Sequence, residues 1–460
     1  MNVIYVGSFK QLFIDYSTIK RKRGVEIVVN RPYLTGEKCI IAEKPWEGHR
    51  VGPYNSILED NGVYKMWYDA IANDGSRWLC YAESKDGVHW EKKELDVVSF
   101  NGIKETNIVF PHEKRPFEPG CVFIDTNPRC PNSEKYKMIC SYEPPNGKRG
   151  TWVFASPNGI DWEPISDEPS FRPSDTNNIC FYDYRIDKYV AYVRVWDPWR
   201  KVGRCEFEDL RDWGREIVVF SYDEEDWRGL DKELFSEMDF YNSSAIKYPL
   251  AKDVYLMFPS AYYHYKTKIR RNDGPLDIQF AISRDGVNWV RLDRRPFIRL
   301  GKEGSWCSGC LYMSYGIIVN DDEIWLYYTG YDFTHGNYDV ARDKFKGVIS
   351  RAILRVDGFT SIDASYVGGE FTTVPLIFEG SKLVVNVETS AGGYLRVGLL
   401  KPNGEFIKGY SPKECDVVNG NFVEKVITWR GEENISDFSG EPIKLYFKMK
   451  DAKLYSFQFL

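Results

Sequence analysis

The sequence predicts an all-β chain, a five-bladed β-propeller followed by a C-terminal β-sandwich. Three observations lead to that expectation. One tight turn recurs, as SKDGVHW at 84–90, SPNGIDW at 156–162 and SRDGVNW at 283–289. An aromatic strand comes before each turn, and it also recurs where the turn has decayed. Helical periodicity is nearly absent between residues 40 and 355.

The turn has a mechanical basis. An Asp-Gly or Asn-Gly pair reverses the chain sharply, and the tryptophan after it packs on a neighbouring sheet. Decayed copies stand at FEDLRDW, 207–213, without the glycine, and at RVDGFTS, 355–361, without the tryptophan. The aromatic strands are YKMWYDA at 64–70, YKMICSYE at 136–143, YVAYVRVW at 189–196, VYLMFPSAY at 254–262 and IWLYYTGY at 324–331. Each has a strand before it across a polar hairpin and another after it. Such units repeat roughly every 50–75 residues and read as propeller blades of four short strands.

The flanks complete the division. Residues 1–35 hold one apolar stretch, YVGSFKQLFIDY, expected to pack along the propeller or to close it with a strand. The propeller is expected over 36–361. Alternating runs such as LIFEGSKLVVNVETS and KLYSFQFL, with turns at PNGE and NGNF, predict an accessory β-sandwich over 362–460.

Composition limits the function. The 460 residues include 31 Tyr, 27 Phe and 14 Trp, an aromatic share that suits strands and sugar-stacking surfaces. The net charge of −6 comes with scattered basic residues, so no nucleic-acid partner is expected. No run of 18 apolar residues appears, so no membrane partner is expected. No signal peptide is visible at the N-terminus, and the expected location is cytoplasmic. The ten cysteines are irregularly spaced and read as small buried hydrophobes. Neither cofactor nor metal is expected, although His49, His112, His264 and His335 fall in loops on one face. The oligomeric state leaves no signature.

Each inner strand is preceded by a segment with a carboxylate. These segments bring Glu47, Arg50 and Asn55 from blade one, Glu118 from blade two and Asp175 from blade three. Blades four and five bring Asp239 with Tyr241, and Glu303 with Trp306. Converging carboxylates shift one another's protonation, and glycosidic cleavage needs one acid and one ionised partner. Asp175 reads as the ionised group, with Arg194 on the next strand reaching toward it. Glu118, between Phe117 and Pro119, reads as the proton donor. Asp239 is an alternative carboxylate or substrate anchor, and Glu303 a further candidate. Trp46, Trp196 and Trp306 offer faces for sugar rings. Against these stands the plainer role of loop carboxylates, which is to cap turns or face water.

With WEG and YKMWY in its first unit, the layout resembles the five-bladed glycoside hydrolase superfamily of families 43 and 32. QLFID, DGVHW, YVAYVR, SWCSG, IWLYYTG and the terminal KLYSFQF resemble an uncharacterised family-32-like group. The resemblance implies a hydrolase acting on an oligosaccharide or glycoside. The family-32 nucleophile motif is replaced here by GPYNSIL, with Asn55 where a carboxylate is expected. FEPGCVF and PSDTNNI offer Glu118 and Asp175 in place of the other two motifs. The sequence therefore predicts an exo-acting glycoside hydrolase on a furanosyl-containing or related glycan. The alternatives are a non-catalytic glycan-binding propeller and a metal-dependent lyase or phosphorylase-like enzyme.

Overall fold

The computed structural model describes residues 3–266, 272–337 and 346–460. Strands dominate it, and its one α-helix among the described residues is the short Glu224–Gly229. Three consecutive four-stranded antiparallel sheets form in chain order. The first runs from Arg50–Asp60 through Val63–Ile71 and Arg77–Ser84 to Ile108–Phe110. The second begins at Phe117–Ile124 and the third at Ile179–Asp183, each continuing outward strand by strand.

The expected fivefold division does not hold. The propeller has four blades, and the fourth and fifth predicted repeats are not separate sheets, since most of their strands join one nine-stranded sheet. These repeats join where Leu276 pairs in parallel with Cys310. Part of the fourth repeat leaves that sheet altogether. Ile246–Lys247, Tyr255–Met257 and Ala281–Ser283 make a separate three-stranded sheet. The cause lies inside VYLMFPSAY, read above as one strand. Pro259 has no N–H to give to a ladder, so the segment splits into Tyr255–Met257 and Ser260–Tyr265, which pair with different partners.

The recurring turn is a clasp between sheets. In all three copies a serine hydroxyl accepts the glycine N–H, from Gly87 to Ser84, Gly159 to Ser156 and Gly286 to Ser283, at 2.8–2.9 Å. The Asp or Asn before the glycine accepts the next two backbone N–H groups. The glycine carbonyl then takes a bond from the second strand of another repeat. Tyr327 donates to Gly87, Trp67 to Gly159 and Tyr192 to Gly286. At Gly159, φ is +80° and an added Cβ would lie 2.4 Å from the Trp67 ring. The turn therefore needs glycine both for its backbone and for its close approach.

Most C-terminal strands join one hydrogen-bonded eight-stranded sheet, while Leu376–Phe378 pairs in parallel with Ile4–Gly7 in a separate two-stranded sheet. In the eight-stranded sheet the long strands Leu383–Leu400 and Lys444–Phe459 pair along most of their length. N-terminal strands enter this same sheet. Ile19–Arg23 pairs with Gly369–Thr373, and Val25–Val29 pairs with Thr360–Ala364. Tyr33–Leu34 and Ile40–Ile41 instead pair with Val348–Arg355 of the nine-stranded sheet.

Candidate functional site

Residues of the first, second and nine-stranded sheets converge on a narrow cavity of about 100 Å3. Tyr54, Tyr241, Tyr312, Tyr331 and His335 line it, with Arg50, Arg77 and Glu118. Three carboxylate groupings surround it, and each is held by an arginine.

Arg77 opens the third strand of the first sheet. Its Nε donates to Asp69 Oδ1 at 2.7 Å, its Nη2 to Asp69 Oδ2 at 2.5 Å and its Nη1 to Glu118 Oε1 at 2.9 Å. Asp69 is fully buried, whereas the Glu118 side chain keeps 26% of its surface. Arg77 thus supplies a charge partner where the sequence reading placed an apolar surround for Glu118. The guanidinium also lies 5.0 Å from the Tyr54 ring centroid, within cation–π range.

On the third sheet, Arg194 Nη1 donates to Asp175 Oδ2 at 2.6 Å, and the Asp175 side chain is 51% exposed. Arg194 also donates to the Tyr241 carbonyl and lies 4.4 Å from that ring. Asn178 bonds Ser174 and the Arg194 N–H rather than Asp175. The next residue, Thr176, has φ of +82°, a strained conformation for a β-branched side chain. Its hydroxyl donates to the Tyr241 carbonyl at 3.2 Å, which helps hold the strained turn that presents Asp175.

The third grouping is buried. Asp239 receives Arg200 Nη1 at 2.9 Å and lies 3.3 Å from His264 Nε2. Burial alone would raise the Asp239 carboxyl. His264 and Arg200 outweigh it and hold the group below the ordinary carboxylate range. Nearby, the Tyr312 hydroxyl meets His335 Nδ1 at 2.9 Å. Enclosure, then the charges of Arg200, Arg194 and Arg50, push the His335 imidazole down to about 3.

The remaining candidates are distributed differently. Trp46 is buried and donates its indole N–H to Asn107 at 2.8 Å, so it belongs to the core. Glu47 is buried as well, accepting from the Glu43 and Lys44 backbone, Tyr68 and Lys92. Asn55 bridges Thr329 and the Asp69 backbone behind the cavity. Trp306 stacks on Tyr328 at 5.9 Å. Glu303 is exposed on its loop and joins none of the arginine pairs described above. Trp196 is exposed, with Arg200 4.5 Å from its ring. Arg50 lines the cavity 5.9 Å from the Tyr331 ring. Among the described residues, no group of three or more His, Cys, Asp or Glu is arranged to hold a metal ion.

Arg77 and Arg200 were not singled out from the sequence, although a signal existed. Each is the first residue of the third strand in its sheet. That recurrence places both guanidinium groups at the same end of their sheets.

The chain is similar to two curated proteins of Mycobacterium tuberculosis. One is the uncharacterised protein Rv1502, 23% identical over 152 residues, covering 30% of this chain and 45% of that one. The other is the uncharacterised protein MT1551, 24% identical over 156 residues with the same coverage. The chain therefore spans less than half the length of these relatives. Among solved structures, it is similar to a thermostable family-43 glycoside hydrolase, at 17% identity and a TM-score of 0.47, over 72% of this chain and 96% of that one. It is also similar to an N-acetylgalactosamine deacetylase from F. plautii, solved with blood group B trisaccharide. That match has 16% identity, a TM-score of 0.47 and the same coverage. No family model matches the chain.

Proposed function

We propose that the chain is a glycoside hydrolase acting on the end of a furanosyl-containing or related glycan. The observation that carries this reading is one run of contacts across the cavity. Glu118 is bound by Arg77, and Arg77 lies over Tyr54. Tyr54 bonds Tyr241 at 3.2 Å, Tyr241 lies under Arg194, and Arg194 binds Asp175. The two partly exposed carboxylates are the two ends of that run, with aromatic rings between them. Asp175 acts as the ionised group, nucleophile or base, positioned by Arg194. Glu118 takes the acid role only if substrate draws Arg77 Nη1 away from it, since that guanidinium favours the ionised carboxylate. Asp239 anchors substrate through Arg200. A cavity of about 100 Å3 has no room for more than one sugar unit, which supports exo action.

A screen of aryl glycosides and of arabinan, fructan and xylan oligomers tests the reaction class. On a cleaved substrate, Asp175→Asn and Glu118→Gln should each lower turnover by at least ~10²-fold, the low end for acid–base groups. Near-normal turnover in folded variants would overturn the assignment.

The arginines support a second reading, phosphorolysis. Arg50 and Arg77 line the cavity, with Arg194 and Arg200 packed on its tyrosines. Guanidinium groups suit a phosphate co-substrate. Cleavage that stops when inorganic phosphate is omitted, with sugar phosphate as product, would favour it over hydrolysis.

A further inference from the structure

A second, larger pocket of about 530 Å3 opens beside the short helix Glu224–Gly229. Trp199, Tyr222 and Trp227 give it aromatic walls, and Lys201, Ser236 and Glu237 give it polar ones. It adjoins the central site through two strands. Lys201 follows Arg200, which binds Asp239, and Glu237 stands two residues before Asp239 on one strand. Alternate residues of a strand share a face, so Glu237 and Asp239 project to the same side.

The presentation of Trp227 is heavily reinforced. Asp223 caps the helix, and Arg291 and Arg294 both bind Asp223 and Asp226. Lys232 lies 4.6 Å from the indole centroid and steadies it from one side. Even so, 43% of Trp227 stays exposed. A large apolar ring fixed at the rim of a polar pocket is the arrangement that stacks on a sugar face while side chains bond its hydroxyls. Lys201 is the one cation among the lining residues and is paired with Asp197 at 3.2 Å, so the lining offers no unpaired cation to hold an anionic ring.

We propose that this pocket is a subsite for an uncharged sugar ring, one unit of a glycan whose terminal unit occupies the central cavity. The placement of that terminal unit rests on the glycan-cleaving reading above, whereas binding in the pocket does not.

The test measures binding of neutral di- and pentasaccharides from arabinan, xylan and fructan by tryptophan fluorescence and calorimetry. Oligogalacturonate of equal length serves as the anionic control. With the best neutral series, Trp227→Ala should lower the ratio of pentasaccharide to disaccharide affinity about tenfold, equal to about 1.4 kcal/mol. Trp227→Phe should restore most of it. The subsite is overturned if no neutral pentasaccharide binds saturably, if the ratio is unchanged in Trp227→Ala, or if the galacturonate binds as tightly. If no probe is cleaved, with or without phosphate, yet the ratio still falls, the subsite stands and the catalytic reading fails.

Discussion

Arg77 serves two carboxylates at once, and that sharing describes how the cavity is built. A lysine could not replace it, because only the guanidinium fork meets Asp69 twice and Glu118 once. Burial first, and the surrounding arginines after it, hold the His335 imidazole down. Its folded-state value of about 3 lies far below the ~6.5 of an unfolded imidazole. Between those values the unfolded chain binds the extra proton, so stability rises with pH. The contribution is whole above about pH 6.5 and is lost as pH falls toward the folded value. Asp239 acts in the same sense but lower, because its depressed carboxyl withdraws stability only as the pH drops through the carboxylate range. His335→Gln should therefore flatten the fall in Tm between about pH 6.5 and 4.5, the window in which unfolded histidine titrates before the carboxylates. Thermal melts of both proteins across that window check this. Parallel curves would show that His335 is not held neutral.

At the scale of elements, the turn clasp makes a sharper prediction than any single strand. Gly159 and Gly75 both have φ near +80°, but an added Cβ meets nothing within 4 Å at Gly75 and lies 2.4 Å from Trp67 at Gly159. Gly75→Ala should cost about 1 kcal/mol, the backbone term alone. Gly159→Ala should cost at least ~3 kcal/mol, since Trp67 must also move and its bond to the Gly159 carbonyl is strained. Urea denaturation of the two variants measures the difference, and equal losses would mean that the clasp carries no load. The clasp was legible in the sequence because it is local, a serine, an Asx and a glycine within four residues. The blade count was not, because it depends on which strands pair across a distance. Pro259 was the available warning inside the fourth aromatic strand. Trp46 shows a related limit. Its composition suits a sugar platform, yet Pro45 and Glu47 build a 3-10 turn that folds the ring inward. Arg194 could be read as a partner for Asp175 because both flank one strand. Arg77 joins two sheets, and nothing in its neighbourhood names Glu118.

At the scale of the whole molecule, Asp357 joins the two ends of the chain to the propeller. It is fully buried, and Lys10 from the N-terminal segment reaches it at 3.0 Å. Ser456 from the last strand donates at 2.7 Å, Asn386 at 3.4 Å and Tyr248 at 2.8 Å. The apolar packing follows the same seam, for Leu12, Ile14 and Val29 share one cluster with Leu256, Phe280 and Phe359. We propose accordingly that residues 36–361 are a unit of sequence but not of stability. A chain limited to that range would expose the apolar surface that Leu12, Ile14 and Val29 cover, and should aggregate rather than elute as a monomer. Asp357→Asn gives the finer test, because it keeps the shape and leaves Lys10 facing a neutral amide. Breaking a buried pair in this way should cost about 3 kcal/mol. Since the contact spans both ends of the chain, the loss should lower one calorimetric transition as a whole. Two resolved transitions, with only one shifted by Asp357→Asn, would show instead that the C-terminal sheet melts independently of the propeller.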